Sequence, residues 1–152
     1  MSSYSLSRSV TVAATPERIR PLITQFPQWR RWSPFEQSDP DLKRDYRGAE
    51  EGVGAVYEWS GNAKAGAGVM TITAATANKV DIHLRFLRPF KAESQHRFDL
   101  APSGATTNVT WTMSGEQRGL MGLVMKLFMP VEKVMGPQFE KGLASLKQAA
   151  ES

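Results

Sequence analysis

Two histidines, His83 and His96, are the side chains of this sequence best suited to proton transfer near neutral pH. Both lie in segments where polar and apolar residues alternate, which is the pattern of a β-strand with one buried face. Alternate positions put His96 on the apolar face with Phe98 and put His83 on the opposite, solvent-facing side. His96 is therefore a candidate general acid or base, with Tyr57 as a candidate to assist it.

A structural role for His96 competes with the catalytic one, and it is the interpretation we favour. In that role the imidazole is hydrogen-bonded to a backbone carbonyl or to Tyr57 inside a packed core. Glu58, Glu93 and Asp99 fall on outward positions of their predicted strands, so no buried pair of carboxylates is expected.

The sequence predicts neither a metal site nor a cofactor site. It contains no cysteine, and its two histidines do not stand in an HxH or HExxH spacing. No serine occupies a G-x-S-x-G motif. The glycine-rich run KAGAGV precedes a predicted strand, whereas a phosphate-binding loop precedes a helix.

Composition predicts a single domain over residues 1–152, with 41% hydrophobic and 22% charged residues. The net charge of +4 is spread among acidic residues, so no nucleic-acid surface is expected. The N-terminal segment lacks the apolar run of a signal peptide, and with the absence of cysteine this predicts a cytoplasmic location. The apolar run GLMGLVMKLFMP (119–130) is shorter than the roughly 20 residues that cross a membrane, so no transmembrane segment is predicted.

The elements that must position these side chains can be placed from periodicity and turn residues. Strand patterns bounded by Gly, Pro or Asn occupy segments 4–13, 42–47, 54–60, 68–75, 79–88, 91–100 and 106–115. Their short spacing predicts an antiparallel meander.

Helical patterns lie on either side of that meander. Thr15-Pro16-Glu17 predicts the start of a short helix after the first strand. Apolar residues recur every three or four positions from Phe128 to Leu146, which predicts a long C-terminal helix. Pro130 and Gly136-Pro137 predict a kink there, or a short helix over about 120–129 followed by a longer one. Grouped strands with helices at both ends indicate an α+β fold.

Five stretches of the sequence resemble the START-like, or SRPBCC, superfamily, which includes polyketide cyclase/dehydrase-like and birch-pollen-allergen-like proteins. They are TPERIRPLITQFPQWRRWSPF, GAVYEWSGNAKAGAGVMTI (54–72), LRPF (87–90), TTNVTWTMSG (106–115) and PQFEKGLASLKQAAE (137–151). The resemblance implies a helix-grip fold, in which a bent antiparallel sheet of about six or seven strands wraps around a long C-terminal helix. Short helices follow the first strand, and a hydrophobic cavity lies between sheet and helix.

The resemblance implies that the inner faces of these elements bind a lipid, a polyketide or an aromatic metabolite. Periodicity alone favours simple core packing for the same residues, with Trp59 and Trp111 as the strongest pocket candidates. The predicted ligand-binding set is Trp32, Phe35, Tyr57, Trp59, Met70, Ile82, Leu84, Phe86, His96, Phe98, Trp111, Met113, Met125, Met135 and Phe139.

Three functions stay open from the sequence. We favour a non-catalytic module, monomeric or weakly dimeric, that binds a small hydrophobic molecule. The first alternative is a polyketide cyclase- or dehydratase-like enzyme that uses His96 with Tyr57. The second is a regulatory or stress-response interaction protein with an exposed apolar patch around Trp29, Trp32 and Phe35. Trp32 and Phe35 either gate the cavity mouth or fasten the short helices to the sheet, and we favour fastening.

Overall fold

The computed structural model describes residues 2–37, 39–63, 65–88, 91–117 and 131–152. Within these ranges the predicted α+β architecture is confirmed. The elements in chain order are β1 (Ser2–Val12), α1 (Pro16–Thr24), two 3₁₀ helices (Phe26–Arg31 and Pro34–Gln37), β2 (Lys43–Gly48), β3 (Ala55–Ser60), β4 (Ala67–Ala75), β5 (Lys79–Arg88), β6 (Ala92–Ser103), β7 (Thr106–Gln117) and α2 (Val131–Glu151).

The strands form one antiparallel sheet in the order β1-β7-β6-β5-β4-β3-β2. Each strand from β2 to β6 therefore pairs with the next one in the chain, as the spacing of the turns predicts, and β1 pairs with β7 at one edge. Strand β6 continues beyond its predicted end and includes Pro102. Only residues 92–99 of β6 pair with β5. Pro102 lies beyond that paired stretch, so its missing N–H costs no hydrogen bond to β5.

Two tryptophans fasten the first 3₁₀ helix to the end of α1. The indole N–H of Trp29 donates to the carbonyl of Ile23, and that of Trp32 donates to the carbonyl of Leu22, both at 2.8 Å. These carbonyls lie in the last turn of a helix, where the backbone supplies no donor. The expected exposed patch is therefore wrong for Trp29 and Trp32, which are buried, while Phe35 is 38% exposed.

Helix α2 packs on the inner face of the sheet, which is the face that carries Trp111. The ring of Phe139 stacks on that of Trp111 with centroids 3.9 Å apart. Gly142 allows this approach, because a Cβ atom there would lie 3.2 Å from the Trp111 ring. The helix begins directly after Pro130 and continues through Gly136-Pro137, where a kink is predicted. The predicted short helix over 120–129 lies outside the described residues.

Within the described residues, no helix is both long enough and apolar enough to cross a membrane.

Candidate functional site

The inner face of the sheet has two regions, and the first is a closely packed aromatic core. Its members are 4% exposed or less, and adjacent rings lie 3.9 to 6.4 Å apart. They are Phe26, Trp29, Trp32, Phe98, Trp111 and Phe139. Four residues of the predicted ligand-binding set therefore pack against one another here, and Ile82 is completely buried as well.

The second region, which we call the apolar floor, surrounds Ser94 on β6. Strand register places Leu84 and Gly115 directly beside Ser94. The other members of the floor lie in the same row or in the adjoining rows of the same face, and they belong to the predicted set. They are Trp59, Met70, Phe86 and Met113.

Two aromatic rings of the floor remain half-buried, in contrast to those of the aromatic core. Trp59 and Phe86 meet edge to face, with centroids 5.6 Å apart. The Trp59 ring lies across Gly68 of β4. A Cβ atom on residue 68 would lie 2.4 Å from this ring, so a glycine is needed at that position.

Ser94, which is 5% exposed, has a small side chain in the middle of the floor. The phenol oxygen of Tyr4 lies over the adjacent Gly115, 2.7 Å from the position that a Cβ atom would take. The floor therefore combines exposed aromatic surface with a small polar centre.

His96 lies at the boundary between the aromatic core and the floor, and both of its ring nitrogens are hydrogen-bonded. The Trp111 indole donates to Nδ1 at 3.1 Å, and Nε2 lies 3.1 Å from the hydroxyl oxygen of Ser94. An indole nitrogen can only donate, so Nδ1 must be the acceptor and the neutral ring carries its proton on Nε2. Burial lowers the pKa of His96 to about 4, which keeps the ring neutral at physiological pH.

This geometry supports the structural role of His96 but not the predicted partners, because Ser94 and Trp111 take the places expected for a backbone carbonyl or Tyr57. It also opposes proton abstraction. A Ser–His nucleophile needs an unprotonated Nε2 facing the hydroxyl, whereas here Nε2 carries the proton. His96 is therefore placed to donate to Ser94 rather than to activate it.

Tyr57 lies on β3, separated from His96 by strands β4 and β5, so the structure does not bring the two candidates together. Its hydroxyl donates to Oε2 of Glu36 at 2.5 Å, and Arg44 Nε donates to Oε1 at 3.0 Å. Burial, followed by the hydrogen bond to Glu36, raises the pKa of the Tyr57 phenol above its ordinary value. Tyr57 therefore stays protonated and anchors a carboxylate.

Sequence reasoning missed the two carboxylates that are buried among the described residues. Glu36 and Asp39 are each 8% exposed. Asp39 accepts backbone N–H groups of Asp41 and Asn62 at 2.8 Å, so it organises two turns. Both residues lie in a proline-rich connection that has no periodicity, and the one available signal is that Glu36 follows a run of aromatic residues.

The remaining predicted residues lie apart from the floor or outside the described chain. Met135 is half-buried against the hydrophobic core, and Phe35 is on the surface. Met125, with the whole segment 119–130, lies outside the described residues. On the outer face, His83 lies 2.9 Å from Glu93, in agreement with its predicted orientation.

A surface pocket of about 420 Å³ lies beside the β2–β3 hairpin and the end of α1. Tyr46, Arg47, Glu50 and Glu51 are among its lining residues. It shares no residue with the predicted ligand-binding set, and its lining mixes charges of both signs, which does not match the apolar chemistry of the floor.

Similar folds occur among solved structures of low sequence identity. Ara h 8.0201 has a TM-score of 0.66 at 10% identity, with 98% of each chain covered. A protein from Nitrosospira multiformis has a TM-score of 0.68 at 19% identity, covering 98% of this chain and 97% of that one. The Aha1 dimer from Colwellia psychrerythraea has a TM-score of 0.67 at 17% identity, covering 97% and 96%. At these identities the likeness establishes the helix-grip fold alone.

A sequence search among curated proteins finds no match. A family model described as "Polyketide cyclase / dehydrase and lipid transport" matches residues 3–151. This match covers nearly the whole chain and agrees with the fold of the structural neighbours. The chain belongs to the polyketide cyclase/dehydrase and lipid transport family.

Proposed function

We propose that this protein binds a small, mainly apolar molecule, such as a lipid, a polyketide or an aromatic metabolite, on the apolar floor and does not transform it. The observation that carries the proposal is the half-buried pair Trp59 and Phe86 on a face that is otherwise closely packed. Exposed aromatic surface beside a small polar centre is the usual chemistry of a site for an apolar ligand.

Binding is favoured over catalysis because the two candidate catalytic groups, His96 and Tyr57, are already paired within the protein. His96 holds its proton on Nε2 and contacts Trp111 and Ser94, while Tyr57 is engaged with Glu36. A cyclase or dehydratase needs a group that can exchange a proton with substrate near neutral pH. Neither His96 nor Tyr57 has a pKa suited to that task.

The sequence adds four further parts to the proposal. We propose that residues 1–152 act as one domain, in the cytoplasm, as a monomer or weak dimer. The even mixture of acidic and basic residues supports a protein without a nucleic-acid partner.

Binding of N-phenyl-1-naphthylamine, an uncharged aromatic probe, tests the proposed site. Titration should give saturable fluorescence enhancement, and NMR of ¹³C-methyl-labelled protein should show shifts of the Met70 and Met113 methyl signals. Phe86→Ala should weaken binding by roughly two- to tenfold, because it removes one aromatic contact. Phe35→Ala is the matched control, since that ring is exposed on the 3₁₀ helix Pro34–Gln37, outside the strands that form the floor, and it should leave binding unchanged.

Two outcomes would overturn this proposal. One is the absence of saturable binding. The other is saturable binding that shifts neither Met70 nor Met113 and responds equally to both alanine substitutions.

A further inference from the structure

We propose that Ser94 determines ligand specificity by donating its hydroxyl proton to the ligand, so that the site selects an apolar molecule bearing a neutral hydrogen-bond acceptor such as a ketone or ester carbonyl. This inference rests on the proposed function of the apolar floor and names the chemical class of its ligand.

The direction of the hydrogen bonds carries the argument. The Trp111 indole can only donate, and it donates to Nδ1 of His96 at 3.1 Å. The neutral imidazole therefore carries its proton on Nε2 and donates it to the Ser94 oxygen, 3.1 Å away. A serine hydroxyl has one proton of its own. Because Ser94 accepts from His96, that proton is left to be donated in another direction.

The surroundings of Ser94 leave this donation to a ligand. On the inner face its neighbours in register are Leu84 on β5, which has no acceptor, and Gly115 on β7. The phenol oxygen of Tyr4 on β1 lies over Gly115, and no hydrogen bond joins it to Ser94 among the described residues. Among the described residues, His96 is the hydrogen-bond partner of the Ser94 hydroxyl. Successive hydrogen bonds polarise one another, so the chain from Trp111 through His96 strengthens Ser94 as a donor.

The charges around the floor favour a neutral acceptor over a carboxylate. Arg97 and Arg85 lie on strand positions of the outer face, and Arg97 pairs there with Asp81. Arg44 pairs with Glu36, and Arg88 binds the hydroxyl of Ser60. Arg8 of β1, in register with Trp111, pairs with Glu140 of α2. Because each of these arginines is paired or lies on the outer face, a ligand carboxylate would need a cation that is already engaged, and an unpaired charge is costly to bury.

Three probes of similar shape test the inference. The probes are 2-acetylnaphthalene, which has a carbonyl acceptor, 2-isopropylnaphthalene, which has none, and 2-naphthoate, which is charged. Each is titrated against the wild-type protein, Ser94→Ala and Ser94→Thr. The ratio of affinities for ketone and hydrocarbon should fall by roughly three- to tenfold in Ser94→Ala, the range expected for one hydrogen bond. Ser94→Thr keeps the hydroxyl and should restore the ratio.

A fourth variant changes the direction of the hydrogen bonds and leaves Ser94 in place. Trp111→Phe removes the indole donor, so His96 can hold its proton on Nδ1 and accept from Ser94. The preference for the ketone should then fall although the hydroxyl is intact. The infrared carbonyl stretch of ¹³C-labelled 2-acetylnaphthalene should lie at lower frequency in the wild-type complex than in the Ser94→Ala complex, which reports the bond itself without relying on stability.

The possible failures are distinguishable. If no probe binds saturably to the wild-type protein, or if binding shifts neither Met70 nor Met113, the proposed function is wrong and this inference falls with it. If the ketone binds at the floor but its preference and its carbonyl frequency are the same in Ser94→Ala, only the inference is wrong. Tighter binding of 2-naphthoate than of the ketone would overturn the assignment of a neutral acceptor.

Discussion

The indole N–H of Trp111 on β7 donates a hydrogen bond to Nδ1 of His96 on β6 across 3.1 Å. This one contact decides which nitrogen of the imidazole carries the proton, and hence in which direction the ring hydrogen-bonds to Ser94. A histidine on an apolar strand face is chemically ambiguous, because it can act as an acid, as a base or as a core residue. Its neighbour on the adjacent strand removes that ambiguity.

NMR can read the tautomer of His96 directly. The ¹⁵N chemical shifts at pH 7 should show a neutral ring with a protonated Nε2 and an unprotonated Nδ1, because Trp111 occupies Nδ1 as a donor. In Trp111→Phe the proton should redistribute toward Nδ1. A wild-type ring that is protonated on Nδ1 at pH 7 would contradict the assignment.

The free energy of unfolding should decrease as the pH is lowered from about 6.5 to about 4. In this range His96 is neutral in the folded protein but protonated in the unfolded chain. The pKa of His96 is lowered by burial from 6.5 to about 4. Between these values the unfolded chain binds a proton that the folded protein does not, so the free energy of unfolding decreases on acidification and levels off below about pH 4. At about 1.4 kcal/mol per pH unit, the full loss is roughly 3 kcal/mol as an upper limit.

Urea unfolding from pH 7.5 to 4 measures this effect as a difference between variants, since carboxylates also titrate in this range. His96→Gln should lose less stability on acidification than the wild-type protein. His83→Gln removes the other histidine, which lies on the outer face, and should retain the loss that His96 causes. Equal slopes for wild-type and His96→Gln would show that His96 does not carry the pH dependence.

Removal of the Tyr57 hydroxyl should destabilise the fold through Glu36. Tyr57→Phe leaves Oε2 of a carboxylate that is 8% exposed without its hydroxyl donor, and a buried polar group without its partner costs about 1–3 kcal/mol. Thermal or urea unfolding measures the loss. Tyr46→Phe is the matched control, because the Tyr46 ring stacks on Tyr57 but is 39% exposed. Equal effects of the two substitutions would refute the role of the Glu36 contact.

Truncation of Phe139 should be among the most destabilising changes in α2. The ring is completely buried and stacks on Trp111, so Phe139→Ala should cost about 3–5 kcal/mol. Phe35→Ala, at a ring that is 38% exposed, should change stability by less than about 1 kcal/mol. A small effect at Phe139 would mean that α2 does not hold the aromatic core together.

Alternation along the strands was enough to predict much of the fold. The segment 79–88 coincides with β5, and the opposite orientations of His83 and His96 follow from side chains that alternate between the two faces of a sheet. The C-terminal helix follows from apolar residues such as Phe139 and Leu143 at helical spacing. These are local regularities of the chain, so the residues themselves carry the information.

The site depends on contacts between residues that are distant in the chain, and periodicity carries no information about those contacts. The sequence places His96 and Trp111 on the inner face but cannot show that one indole N–H meets one imidazole nitrogen. It also cannot show that Glu36, from an irregular connection, would accept a hydrogen bond from Tyr57. Whether a residue such as Phe98 packs in the core or Phe86 stays half-buried depends on strand register and on the position of α2. The sequence alone thus determined the architecture and the faces, while the tertiary structure decided the partners, the protonation of His96 and the chemistry of the floor.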